Sequence, residues 1–230
     1  MCIRDRINEK LSSYIKSLWR DSELKSKYFQ GNIRLTYLVY SLGMSKDITL
    51  VGVRTEAELE LQGRQFEDGG WPEYKNSETF SVIDTAFSVV ALSNSTSTVA
   101  NDAARKGALK LVEYYKNLPK KQLKLADDAI VYAAVLQAGM GEKIPASFIA
   151  GAIEKLVELK SANAIRVYHF DFERSSQGSE RSRDYLCVPH VFLKYLISSG
   201  LLKQKINLYY WVKARIQHSA HCEELSLIHI

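Results

Sequence analysis

The stretch from Gln65 to Leu92 sets a sharp turn directly before an apolar helix. Gln65-Phe66-Glu67-Asp68-Gly69-Gly70-Trp71-Pro72 leads through a short polar segment into Ser81-Val82-Ile83-Asp84-Thr85-Ala86-Phe87-Ser88-Val89-Val90-Ala91-Leu92. Gly69 and Gly70 supply the backbone freedom for a reversal just ahead of a large indole. Val82, Ile83, Ala86, Phe87, Val90 and Ala91 then recur at helical spacing and form one broad apolar face. The small residues on that face allow a neighbouring helix to come close, so the expected architecture is closely packed helices.

The rest of the chain supplies the partners. Ile7, Leu11, Tyr14, Ile15, Leu18 and Trp19 make an apolar stripe on a first helix, which Asp21-Ser22 ends, or which they follow as the cap of the next. A second helix is expected over Ile33 to Leu42, closed by Gly43. Thr55-Glu56-Ala57-Glu58 fits a capping box opening a helix that ends near Gln65. After the Ser81–Ser93 helix, Asn94 to Thr98 reads as a loop, and Ala100 to Lys116 as an amphipathic helix with Ala104, Ala108, Leu111, Val112 and Tyr115 inward.

Asp127-Asp128-Ala129-Ile130-Val131-Tyr132-Ala133-Ala134-Val135-Leu136 opens a further helix with acids in its first turn, where the helix dipole favours them. Asp128 and Leu136 stand 44 residues beyond Asp84 and Leu92, so this helix reads as a second copy of the earlier one, the mark of stacked supersecondary units. Pro145 suits the first turn of a helix running to about Leu159. Ile165 to Phe172 alternates and permits a short strand, and Arg174 to Arg183 reads as a polar, mobile insertion. Pro189 to Ser199, with Gly200 beyond, and Ile206 to His218 are expected helices.

The Gln-x-x-x-Gly-x-Trp spacing of Gln65, Gly69 and Trp71 resembles the QW repeat of terpene cyclases and protein prenyltransferases, the prenyltransferase and squalene oxidase repeat. That resemblance implies an α/α toroid, a ring of helical hairpins around an apolar cavity, here incomplete because the chain is a fragment. It also implies structural roles for Gln65, Gly69, Gly70, Trp71 and Asp84, the Gln at helix ends and the Trp between hairpins. Both termini resemble translated sequencing adaptor. Met1-Cys2-Ile3-Arg4-Asp5-Arg6 and Leu225-Ser226-Leu227-Ile228-His229-Ile230 can be encoded by reverse-complementary strings. The protein proper is therefore expected to span residues 7–224, with 1–6 and 225–230 set aside.

In the family so resembled, proton-initiated cyclases carry Asp-x-Asp-Asp before Thr-Ala, and the middle Asp donates the proton. Ser81-Val82-Ile83-Asp84-Thr85-Ala86 has Ser and Ile where the first two acids would stand, and Ile83 cannot donate. Leu125-Ala126-Asp127-Asp128 keeps the last two acids and places Asp127 at the donor's position. Asp127 and Asp128 are thus the candidate catalytic residues, with the alternative that both are plain helix N-terminal carboxylates. Trp71, Tyr74, Phe80 and Tyr132, with Phe148, are aromatics that could line a cavity and stabilise a cation, or simply pack in the core.

Prenyltransferases use zinc instead. Asp184, Cys187 and His190 have zinc-binding side chains, but their spacing is not the family's, so no metal or other cofactor is expected. His218, His221 and Cys222 form a second group and read as an exposed helix end. No phosphate loop, nucleophile elbow or His-Glu-x-x-His occurs.

Without the terminal hexapeptides the chain has 29 basic and 25 acidic residues, a net charge of +4 that gives no nucleic-acid signature. Cys187 and Cys222 are too few for a disulfide framework and fit a reducing, cytoplasmic setting, and no apolar run is long enough to span a bilayer. The resemblance therefore implies an α/α toroid suited to an isoprenoid or other hydrophobic ligand, its catalytic signature incomplete. The alternative is a non-catalytic toroid that binds a peptide or partner protein.

Overall fold

Helices carry nearly all of the regular structure, which places the chain in the all-α class. The structure, a computed structural model, describes residues 3–45, 47–117, 125–161, 165–168, 186–189, 196–197, 200–203 and 205–214. It divides into two compact units, residues 1–111 and 112–230.

The first unit begins with α1 (Ile3–Arg20) and α2 (Ser22–Tyr28). Asp21 separates them as the N-cap of α2, its carboxylate accepting from the Glu23 and Leu24 amides at 3.0 Å. Trp19 fixes the roll of α1: its indole N–H donates to Glu56 Oε2 at 2.7 Å, and its ring packs against Phe29 with centroids 5.7 Å apart. That roll leaves Tyr14 exposed, although the sequence places it on the apolar stripe. Lys25 lies over the Trp19 ring at 3.9 Å and pairs with Glu60 at 2.8 Å, tying α2 to the helix that carries Glu60.

α3 (Asn32–Met44) continues through Gly43, which lies inside the helix and does not end it; Ser45 is the C-cap. α3 packs against α4 (Val51–Gln62) and α5 (Val82–Ser93). The expected capping box at Thr55 is not formed, because α4 starts a full turn earlier. Asp47 caps a 3-10 turn, Ile48–Leu50, by accepting from the Thr49 amide at 2.8 Å, and that turn runs straight into α4. Thr55 is left in mid-helix, its hydroxyl donating to Val51 O at 3.1 Å. α4 ends at Gln62, so Gln65 belongs to the loop beyond it.

α5 is buried along its whole middle, from Asp84 through Leu92, while Val82 and Ile83 at its start are half-buried. α6 (Thr98–Asn117) turns Ala104, Ala108, Leu111, Val112 and Tyr115 inward as expected. Leu35, Leu61, Trp71, Phe87, Leu92 and Leu111 are the large side chains wholly removed from solvent in the first unit.

In the second unit α7 (Leu125–Gln137) packs on α8 (Ala146–Ser161), which follows Pro145. β1 (Ile165–Tyr168) pairs in parallel with β2 (Leu186–Pro189), Ile165 opposite Leu186 and Tyr168 opposite Pro189. The strand expected from Ile165 is therefore present. Pro189 is the last residue of β2, where its missing N–H is tolerated; the helix expected from Pro189 to Ser199 lies largely outside the described residues, and within it 196–197 are helical. A helix covers residues 206–214, and Gly200 takes φ +72° just after the helical residues 196–197. Among the described residues no helix is long and apolar enough to cross a membrane.

Candidate functional site

Trp71 is the centre of the first unit. Its indole N–H donates at 2.7 Å to Leu61 O in the last turn of α4, a carbonyl that also accepts the Arg64 amide at 3.2 Å. Its backbone N–H donates to Thr85 Oγ1 at 2.8 Å, and its carbonyl accepts from the Ser81 amide at 2.8 Å, so the start of α5 is bonded to both sides of the same residue. Pro72 and Phe80 meet in an antiparallel bridge that closes the intervening segment.

Gln65 ties this loop to α6. Its side-chain amide donates to Gly69 O and to Ala103 O, each at 2.9 Å. The turn is closed internally by Phe66 N–H on Gly70 O at 2.8 Å and by Gly70 N–H on Asp68 Oδ1 at 3.0 Å. Gly69 needs its missing side chain: its φ is +98°, and a Cβ would stand 2.6 Å from Lys106 O. Asp68 also pairs with Lys110 at 2.7 Å, and the Lys110 hydrogen bond is the largest influence holding its carboxyl below the usual range.

Asp84 occupies the first turn of α5 and is only 5 % exposed. Ser81, the N-cap, donates its hydroxyl to Asp84 Oδ2 at 2.6 Å and accepts the Asp84 amide at 3.2 Å. Asp84 Oδ1 is buried without a hydrogen-bond partner. Burial pushes the carboxyl up to about 6; the Ser81 hydrogen bond opposes this, and the Glu73 charge adds to it. Beside Asp84, α3 and α5 meet through a buried polar cluster. Asn32 Nδ2 donates to Ser88 Oγ at 3.0 Å, Thr36 Oγ1 donates to Asn32 O at 2.9 Å, and the Thr36 and Ser88 hydroxyls share a hydrogen bond at 3.2 Å.

The aromatics proposed as a cavity lining have different surroundings. Trp71 is fully buried, Phe80 is half-buried with Lys110 5.1 Å from its ring centroid, and Tyr74 is 54 % exposed beside Gly31. These three belong to the first unit; Tyr132 is buried in the second. Asp127 and Asp128 lie on the backbone of the first turn of α7, and their side chains fall outside the described residues. Cys187 is on β2, opposite Arg166, while Asp184, His190, His218, His221 and Cys222 fall outside the described residues, as does the Phe148 side chain. Among the described residues no group of three or more His, Cys, Asp or Glu side chains could hold a metal.

Sequence reasoning passed over Gly107, Thr85 and the Asn32 cluster. Gly107 lies in the middle of α6 against the Trp71 ring; a Cβ there would be 2.5 Å from Trp71 Cζ3 and 2.8 Å from Val89 Cγ2. A lone glycine in an otherwise strong amphipathic helix was the available signal. Gly107→Ala is expected to destabilise the first unit by about 2 kcal/mol, because neither the ring nor Val89 has room to retreat. Urea unfolding followed by Trp fluorescence measures it; a stabilised variant, as ordinary helix propensity predicts, would show that the contact yields.

No protein-family model matches the chain, and no curated protein or solved structure matches it.

Proposed function

We propose that the chain is part of a terpene cyclase or prenyltransferase-like α/α toroid that binds an isoprenoid or similar hydrophobic ligand, without proton-donor chemistry in its first unit. One observation carries this reading. Ile83 stands where a donor would be, and the one acid of that signature, Asp84, is closed to solvent and engaged by Ser81. Gln65 and Trp71 are likewise spent on holding α4, α5 and α6 together, which is what a repeat scaffold requires.

A second reading is an enzyme with Asp127 as its acid. It is favoured by Asp127 and Asp128 standing on α7 at the same 44-residue offset from Ile83 and Asp84 of α5. The full-length protein, recovered from longer reads, should be equilibrated with squalene and with geranylgeranyl diphosphate, then assayed for retained ligand and for cyclised product. The binding reading expects retention without product, unchanged in Asp127→Asn. Product that vanishes in Asp127→Asn overturns it in favour of the enzyme. Absence of retention overturns it in favour of a toroid that binds a peptide or partner protein.

A further inference from the structure

We propose that the helix over residues 206–214, with the turn before it, is an interfacial anchor that lies on a membrane surface rich in anionic lipid. Leu208 and Val212, one turn apart, are buried and fix which side of the helix faces the interior of the second unit. The opposite side carries Ile206 and Tyr210, also one turn apart, and both are more exposed than covered, at 63 % and 64 %. Tyr209 and Trp211 flank them half-buried, and the Tyr209 ring meets Tyr210 edge-on with centroids 5.5 Å apart. Lys203 and Lys205 precede this apolar strip and Lys213 follows it, all three exposed. An aliphatic and aromatic strip between lysines suits the boundary of a bilayer, where rings sit at headgroup level and lysine stems reach out to phosphate.

Charge selects the surface. From Tyr185 to Cys222 the sequence holds Lys194, Lys203, Lys205, Lys213 and Arg215 and no Asp or Glu, whereas the whole chain has 26 acids in 230 residues. No carboxylate of that run repels an anionic headgroup, and each lysine close to such a surface adds about fivefold to partitioning. The helix is about 14 Å long, less than half the thickness of the hydrocarbon layer, so it lies on the membrane and does not cross it. A nucleic-acid backbone would attract the same cations but would leave Ile206 in water, while the acyl boundary covers it.

Sedimentation of the whole chain with lipid vesicles tests the anchor. Phosphatidylcholine vesicles carrying about 30 % phosphatidylserine should retain about tenfold more protein than phosphatidylcholine alone, and raising salt from about 0.1 to about 1 M should remove most of that difference. This comparison needs no variant. Ile206→Ser with Tyr210→Ser should lower retention on the anionic vesicles about tenfold, and Lys203→Gln with Lys213→Gln about 25-fold. All four positions are exposed, so the circular dichroism of both double variants should match the wild type. Equal retention on the two vesicle types, or retention on the anionic vesicles that neither double variant lowers, overturns the proposal. Tighter binding to single-stranded RNA than to the anionic vesicles overturns it in favour of a nucleic-acid surface.

Discussion

Trp71→Ala is expected to destabilise the first unit by about 3–5 kcal/mol, the range for removing a large aromatic from a closed core. The magnitude follows from what surrounds the ring. Trp71 is wholly buried, and Gly107 of α6 and Val89 of α5 sit so close that a single added methyl would intrude on the indole. Removal therefore leaves a void bounded by helix backbone, which collapses poorly. The indole N–H bond to Leu61 O also goes, leaving that carbonyl with the Arg64 amide at 3.2 Å. Trp71→Phe separates the two effects: it keeps much of the volume and loses the donor, so it should cost about 1 kcal/mol for the hydrogen bond plus a smaller packing loss. Denaturant unfolding reports both variants, with near-equal costs showing that the hydrogen bond dominates. A loss of under 1 kcal/mol for Trp71→Ala would mean that the ring does not organise the three helices.

Why this region was legible in the sequence, while others were not, has a physical basis. Gly69 and Gly70 form a turn closed locally by Phe66 N–H on Gly70 O and Gly70 N–H on Asp68 Oδ1, so a short window of sequence exposes it, although the approach of Gly69 to Lys106 O is not visible there. The inward face of α6 was readable for a similar reason, since Ala104, Ala108, Leu111, Val112 and Tyr115 follow one helical period. Gly107 depends on a ring 36 positions earlier, and periodicity carries no information about that distance. The Asn32–Ser88 hydrogen bond spans 56 residues and joins two helices whose apolar patterns alone were read. Pro189 ends β2 opposite Tyr168, and since a proline suits a strand end as well as a helix start, its residue type alone does not reveal that pairing. The α/α toroid drew on the QW resemblance, whereas the helical class followed from periodicity that the structure also displays.

Glu58→Ala is expected to cost about 3 kcal/mol, while Thr55→Ala, in the same four residues, should change stability by no more than about 0.5 kcal/mol. Read as a capping box, the sequence gives Thr55 and Glu58 a shared task at a helix start. In the structure they part. Thr55 is exposed in mid-helix, where Ala is the better helix former, so its loss is close to neutral. Glu58 is only 7 % exposed and accepts from Arg54 Nε at 2.9 Å and from the Ser95 hydroxyl at 2.8 Å. Arg54 goes on to donate to Asn94 O at 3.2 Å, so the carboxylate fastens α4 to the loop between α5 and α6. Truncation strands a largely buried guanidinium and an unpaired hydroxyl, which is why the cost exceeds that of an ordinary surface pair. Glu58→Gln keeps an acceptor for both donors and should recover most of the loss. Added salt should change the wild-type value little, since a buried pair is poorly screened. Comparable losses for Thr55→Ala and Glu58→Ala would restore the capping box and move the start of α4 to Thr55.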